Sequence, residues 1–310
     1  MNFFKIETKI DFMAARKPAM AVAVFLVVAS IVLMFARGLN FGIDFTGGLV
    51  VEVGYPQAVE LDGIRGTLAE VGYGNAIVQH FGTSSEVLIR LAPGETEDAA
   101  SVSNRVLEAL RASDASVEMR RVEFVGPQVG DELKEQGGLA VMFALIGILI
   151  YVALRFEYRF AVGSVIALAH DVILTVGLFA LLGIEFDLVV LAAILAVIGY
   201  SLNDTIVIFD RIRENFLTMR KASPIDVINA SLNQTLARTL MTGITTLMVL
   251  GALYALGGQV MHGFSVALMF GVVVGTFSSI YVASAAALAL GVSKLDLMPP
   301  KKEGVEDSTP

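Results

Sequence analysis

Asn203 and Asp204 sit inside an apolar run, LVVLAAILAVIGYSLNDTIVIFDRIREN (residues 188–215), about six residues before its polar edge at Asp210. At ~1.5 Å rise per residue, a helix through this run puts the Asp204 carboxyl roughly 9 Å inside a bilayer surface. A carboxylate at the centre of a membrane helix costs about 2.5–3.5 kcal/mol, so such groups face a protein interior or a wet cavity and mark ion or proton paths. The competing structural reading is a hydrogen-bonded carboxyl that only pins neighbouring helices. Tyr200 lies one turn before Asp204 and Asn203 beside it, so the three are expected to share a polar face. Two further ionisable positions fall in apolar runs: the pair His170-Asp171, some 11 residues into the run 160–183, and Arg238 at the start of 238–256. Arginines near helix ends also snorkel to the headgroups. Together these residues trace a polar track through adjacent helices. Its chemistry is proton exchange, with a carboxyl that is either paired with a guanidinium or holding a proton. An aspartyl protease built on Asp171 and Asp204 needs both carboxyls on one water. Helix rise instead puts Asp171 near mid-membrane and Asp204 nearer the cytoplasm, and no GxGD motif is present.

The elements that must position this track are membrane helices. Of 310 residues, 55% are hydrophobic and 17% charged, with a mean hydropathy of +0.73. Soluble domains carry about a quarter charged residues. There is no cysteine, and His80, His170 and His262 are too far apart to read as a metal site. No P-loop pattern occurs. No cofactor is expected, and the polar track suits protons as a coupling ion. Trp is absent, so an interfacial belt is expected to rest on Tyr151, Tyr158, Tyr200, Tyr254 and Tyr281.

The net charge of −8 is confined to residues 37–136, which hold 16 acidic and 8 basic residues. An acidic, soluble-looking block is therefore inserted into a neutral membrane protein, and it lacks the basic footprint that nucleic acid requires. Lys5, Lys9, Arg16 and Lys17 precede the first apolar run, 20–36, which is expected to remain as an uncleaved span. Five more spans are expected near 138–154, 160–183, 188–209, 238–256 and 264–291. Lys and Arg mark cytoplasmic loops. They cluster at Arg155 and Arg159, at Arg211, Arg213, Arg220 and Lys221, and at Lys294, Lys301 and Lys302, while GIEFDL and GGQVMHG have none. Both ends are thus expected in the cytoplasm and the acidic block outside.

Within that block the order is strand (49–55), helix (60–71), strand (75–81), strand (86–92), helix (95–111) and strand (117–125), with Gly82 to Ser85 as a hairpin. This βαββαβ order is the ferredoxin-like split motif. GIDFTGG (42–48), with Gly42, Asp44, Gly47 and Gly48, precedes a strand and reads as a tight turn admitting the chain to the sheet, not as a phosphate cradle. Ser223-Pro224 starts an interfacial helix whose apolar positions Ile225, Ile228, Leu232 and Leu236 oppose Asn229, Asn233 and Gln234, leading into the fifth span. Gly271, Gly275, Ser278 and Ser279 offer a small-residue packing face on the sixth. The expected fold is a six-span α-helical membrane protein with a small extracytoplasmic ferredoxin-like α+β domain. Its parts are a cytoplasmic start and first span (1–37), that domain (38–136), a five-helix remainder (137–292) and a cytoplasmic tail (293–310).

GIDFTGG outside the first span, AHDV in the third, GYSLNDTIVIFDRIREN in the fourth and NASLNQTLARTL before the fifth resemble the SecD/SecF family of bacterial protein-export membrane subunits, on its SecF side, within the RND superfamily. The resemblance covers nearly the whole chain. It implies an inner-membrane protein that acts with SecD, whose six spans form a pseudo-symmetric second half. The pair works beside the SecYEG channel, using the proton-motive force to draw preproteins outward after the SecA step. It further implies that proton conduction rests on the Asp of the NDT motif and the Arg of the ART motif, here Asp204 and Arg238. The alternatives are a half-unit of another RND-type exporter, which should carry a larger outer domain, and a non-conducting scaffold for SecD.

Overall fold

In the computed structural model, which describes residues 8–92, 98–219 and 221–292, six helices are long and apolar enough to cross a bilayer. A 3-10 turn, Met13–Ala15, leads into α1 (Arg16–Arg37). A short strand β1 (Asn40–Phe41) and a single helical turn α2 (Ile43–Thr46) follow. The outer unit then runs β2 (Gly48–Gly54), α3 (Leu61–Glu70), β3 (Ile77–Phe81), β4 (Thr83–Leu91), α4 (Ala99–Ser113) and β5 (Glu118–Val125). Next come α5 (Pro127–Arg155), α6 (Tyr158–Leu182), β6 (Glu185–Phe186), α7 (Leu188–Thr218) and α8 (Pro224–Leu256). The last span is α9 (Val260–Phe277), a π-helical segment (Ser278–Ala283) and α10 (Ser284–Ala289).

The sheet order is β3-β4-β2-β5, all antiparallel, the arrangement of a ferredoxin-like split motif. Alternation decides its faces: Leu49, Val51 and Val53 of β2 point with Val87 and Ile89 into a core closed by Ile64 and Leu68 of α3 and Val106 and Leu110 of α4. The hairpin between β3 and β4 is tighter than the four-residue loop expected, because Gly82 alone turns the chain at φ 84° and Thr83 already pairs with Phe81.

Three elements differ from the sequence expectation. The helix of the second span starts at Pro127 and not near 138, with Pro at its first position where the missing N–H costs nothing. The expected interfacial helix and the fifth span are one continuous helix, α8, opened by a Ser223–Asp226 capping box. Its Asn229 and Asn233 bond the segment before α1 rather than water: Asn229 accepts from the Met13 amide (2.9 Å), and Asn233 exchanges two bonds with the Ile10 backbone (2.9 and 2.8 Å). The tyrosine belt is smaller than expected. Tyr281 packs edge-on against Phe12, and the Tyr200 hydroxyl is buried; Tyr151, Tyr158 and Tyr254 are exposed. Lys5, Arg220, Lys294, Lys301 and Lys302, and the expected helix start at Glu95, lie outside the described residues.

Small residues let the spans approach. A side chain at Gly271 of α9 would lie 2.6 Å from Val197 Cγ1 of α7, and one at Gly275 would lie 3.0 Å from Ser201 Cβ. The packing face read into the sixth span is therefore turned toward α7.

Candidate functional site

Helical periodicity decides which residues of α7 face inward. Val190, Ala193, Ile194, Val197, Ile198, Ser201, Asp204, Thr205 and Ile208 form one buried stripe. Asp204 is 3% exposed, and its Oδ2 atom makes no hydrogen bond among the described residues. Asn203, one residue earlier and so rotated about 100° around the axis, is exposed instead. The shared face expected for Tyr200, Asn203 and Asp204 is thus divided. Tyr200 turns toward α8, where its hydroxyl lies 3.8 Å from where a side chain on Gly243 would begin. The buried Tyr200 hydroxyl and the Thr239 Oγ1 of α8 also lack hydrogen-bond partners. Arg238 is exposed on α8, and among the described residues no ion pair within 4.0 Å joins it to Asp204.

Asp171 sits in different company. Fully buried on α6, it accepts from Ser201 Oγ at 2.6 Å and Ser278 Oγ at 2.8 Å through Oδ2, while Oδ1 lies 3.0 Å from His170 Nδ1. Ser279 and Thr205 hydroxyls bond each other at 2.8 Å alongside. The last span adopts its π turn at these serines, and Ser284 Oγ reaches back to the Ser279 carbonyl at 3.0 Å. Such turns widen a helix and recur at functional sites. Both Asp171 oxygens are thus engaged by Ser201, Ser278 and His170, whereas Asp204 keeps an unbonded oxygen among the described residues, so the two carboxyls differ in setting. In the sequence, the signal for Ser201 and Thr205 is their i, i+4 spacing on the face of Asp204. Ser278 and Ser279, expected to serve helix packing, also bond Asp171 and Thr205.

The 42–48 turn lies at the other end of α7. Gly42 donates to the Phe186 carbonyl (2.8 Å), and the Asp44 carboxylate accepts from the Leu188 amide (3.0 Å), the first residue of α7. Gly47 (φ 67°) and Gly48 (φ 127°) adopt backbone angles that side chains disfavour. Among the described residues no cluster of His, Asp and Glu suits a metal ion.

Comparison with known proteins follows this geometry closely. Residues 105–293 match the family model described as protein export membrane protein SecD/SecF, C-terminal, and residues 32–59 match the SecD/SecF GG motif. The protein translocase subunit SecF of Vibrio alginolyticus is 53% identical over 308 residues, covering 98% of both chains. That of Escherichia coli O157:H7 is 47% identical over 300 residues, covering 96% of this chain and 93% of the other. The crystal structure of SecDF from Thermus thermophilus, a translocon-associated membrane protein, superposes with a TM-score of 0.85 at 39% identity over 93% of this chain. SecDF in its super-membrane-facing form superposes at 0.69, again at 39% identity, over 91%. This chain spans only 39% of either SecDF chain.

Proposed function

We propose that this chain, which belongs to the SecD/SecF family of protein export membrane proteins, couples proton movement to protein export as one half of a two-part membrane machine. Its membership makes it a multi-pass translocase subunit of the SecF type, a transport protein and not an enzyme. The remainder of a SecDF assembly comes from SecD. Both ends lie in the cytoplasm of a bacterial cell, the sheet lies outside the membrane, and the pair acts beside SecYEG on preproteins that SecA has started through the channel.

One observation carries this reading. Asp204 is buried within α7 with an oxygen unbonded among the described residues, while Asn203 of α7 and Arg238 of α8 stand exposed on this half. A carboxyl so placed must be neutralised by a proton or by a cation brought to it. An exposed guanidinium inside the membrane region requires cover by protein or a wet path. The exposed side of α7 is a row of small residues, Ala192, Ala196 and Gly199, ending at Asn203, which lets another helix approach closely. In this proposal the SecD-type half covers this row and Arg238. A shift of α7 against α8 then alternates Asp204 between a protonated state and a state paired with Arg238. Each proton crossing brings roughly 2.3 kcal/mol per 100 mV, enough to bias two packed states.

The test is export into inverted vesicles holding this chain with its SecD-type partner. Asp204→Asn should abolish stimulation by a proton gradient and leave ATP-driven initiation and partner binding intact. Arg238→Met should behave alike, and Arg238→Lys should also fail where the planar fork is required. Full stimulation with Asp204→Asn would make the carboxyl structural only. A second exporter reading gains nothing from the structure, whose outer unit is one small sheet with two helices.

A further inference from the structure

The proton reading leaves the 42–48 segment without a role, yet this segment joins the outer sheet to both α5 and α7. Asp44 accepts from Leu188 N–H at 3.0 Å while Asp187 accepts from Val190 N–H at 2.7 Å. Two of the four amides that a helix leaves unbonded at its start are thus satisfied, one of them by a residue from outside α7. Both carboxylates also meet the positive end of the helix dipole. Beside them β1 and β6 form a parallel pair, Asn40 with Glu185 and Phe41 with Phe186. Arg90 reaches down from β4 in the middle of the sheet. Its Nη1 donates to the Phe41 carbonyl at 2.9 Å and its Nη2 pairs with the Glu185 carboxylate, with the side chain only 11% exposed. The rings of Phe41, Phe45 and Phe186 pack at 5.8–5.9 Å beneath.

The glycines close the assembly on its remaining sides. A side chain on Gly47 would begin 2.8 Å from Pro127 Cα, and one on Gly130 would begin 2.7 Å from Gly47 N, so α2 and the start of α5 touch backbone to backbone. One on Gly48 would begin 2.6 Å from the Leu91 carbonyl oxygen. Away from this joint, the sheet meets the bundle at the β3–β4 hairpin, where a side chain on Gly82 would begin 2.9 Å from Gln259 Cγ. Between them lies a cavity of about 550 Å³, lined by Glu52, His80, Arg121, Asp187, Gln259 and His262 among others. The sheet is fastened at the joint and touches the bundle again at the hairpin tip, with the cavity between the two contacts.

We propose that the 42–48 segment is the coupling joint of the machine, with Asp44 and Arg90 as positioning residues that carry a displacement of α7 to the outer sheet. The inference rests on the proposed role of Asp204 for the origin of that displacement. Asp204 lies on the same unbroken helix as Leu188, 16 residues further on, or about 24 Å along the axis. An unbroken helix transmits tilt and translation along its length, and here its first amide is held by the chain that enters the sheet. The proton-bearing helix and the outer unit are therefore coupled through the Asp44 cap and the Arg90 fork.

The experiment uses the chain reconstituted with its SecD-type partner and measures three quantities for each variant. They are proton flow, gradient-stimulated export, and the distance distribution between spin labels at Glu108 on α4 and Leu256 at the end of α8. Asp44→Leu, which fills the space without an acceptor, should keep proton flow near wild type. Its gradient-stimulated export should fall about fivefold, the factor of one lost hydrogen bond, and its label distribution should broaden. Asp44→Asn retains an acceptor oxygen and should restore most of the export. Arg90→Met should repeat the Asp44→Leu pattern from the sheet side. Unchanged export and label distances in Asp44→Leu and Arg90→Met would overturn the joint. So would loss of proton flow along with export, since Asp44 would then belong to the proton path. Asp204→Asn in the same assay separates the two ideas: flow persisting there sinks the proton reading alone, while the label distributions still decide the joint.

Discussion

At Gly271 the whole packing of the last span against α7 depends on a missing side chain. A Cβ there would press into Val197, whose neighbours are fixed in the buried stripe that carries Asp204. Gly271→Val should therefore destabilise the bundle by about 1–3 kcal/mol, the usual cost of overpacking, read as a lowered melting midpoint in detergent. Two carboxyls at the outer end of α7 give a pH prediction. Burial pushes Glu185 above its ordinary value of 4.5, with the Arg90 guanidinium pulling it part of the way back and Asp187, Asp44 and Glu123 adding to the rise. Burial likewise raises Asp187, against the opposing bond from the Val190 amide. A carboxyl raised in the folded state binds its proton more tightly there than in the unfolded chain. Its stabilising contribution is complete below the unfolded value and is lost as pH rises through the folded one. Melting midpoints should thus fall as pH climbs upward from the ordinary carboxyl range, and Glu185→Gln should flatten that slope. An unchanged slope in the variant would mean that Glu185 does not govern it.

Element by element, the sequence was most informative where periodicity runs long. Six apolar runs marked six helices, and the alternation of LVVEVGY and EVLIRLA marked strands that pair in the structure residue for residue. What periodicity does not show depends on partners far away in the chain. The β1–β6 pair joins residues some 145 apart, and two-residue strands leave no periodic trace. Asp44 reads as a turn residue until Leu188 is beside it. Asn203 and Asp204 are adjacent in sequence yet divided by the 100° step of the helix, which decided that one faces the interior and the other the outside of this half. Asp171 was legible as a buried charge but its serine partners were not, since Ser201 and Ser278 lie on two other helices. The continuity of α5 from Pro127 carries its own expectation. A Gly138→Pro change, inside the helix and away from its tolerant first turn, should kink it at a cost of about 3 kcal/mol and weaken export even though Gly138 faces open space.

On the scale of the whole molecule, two proposals concern independence and orientation. The outer unit from β2 to β5 has a closed core of its own, so a fragment spanning 48–126 should fold as a soluble monomer with mixed α/β circular dichroism and a cooperative melt. A disordered fragment would tie its folding to the joint and the bundle. For orientation, cysteines placed at Thr83 and Gln259 should react with an impermeant reagent from outside intact cells, and one at Thr218 should not. Labelling at Thr218 would reverse the proposed sidedness. The central claim, however, is that protons move through this protein by way of Asp204. It is tested most directly by proteoliposomes containing the chain with its SecD-type partner and a trapped pH-sensitive dye, under an imposed proton gradient. The account predicts proton flow in the wild-type complex and flow at the level of protein-free liposomes in Asp204→Asn; wild-type flow in that variant would contradict it.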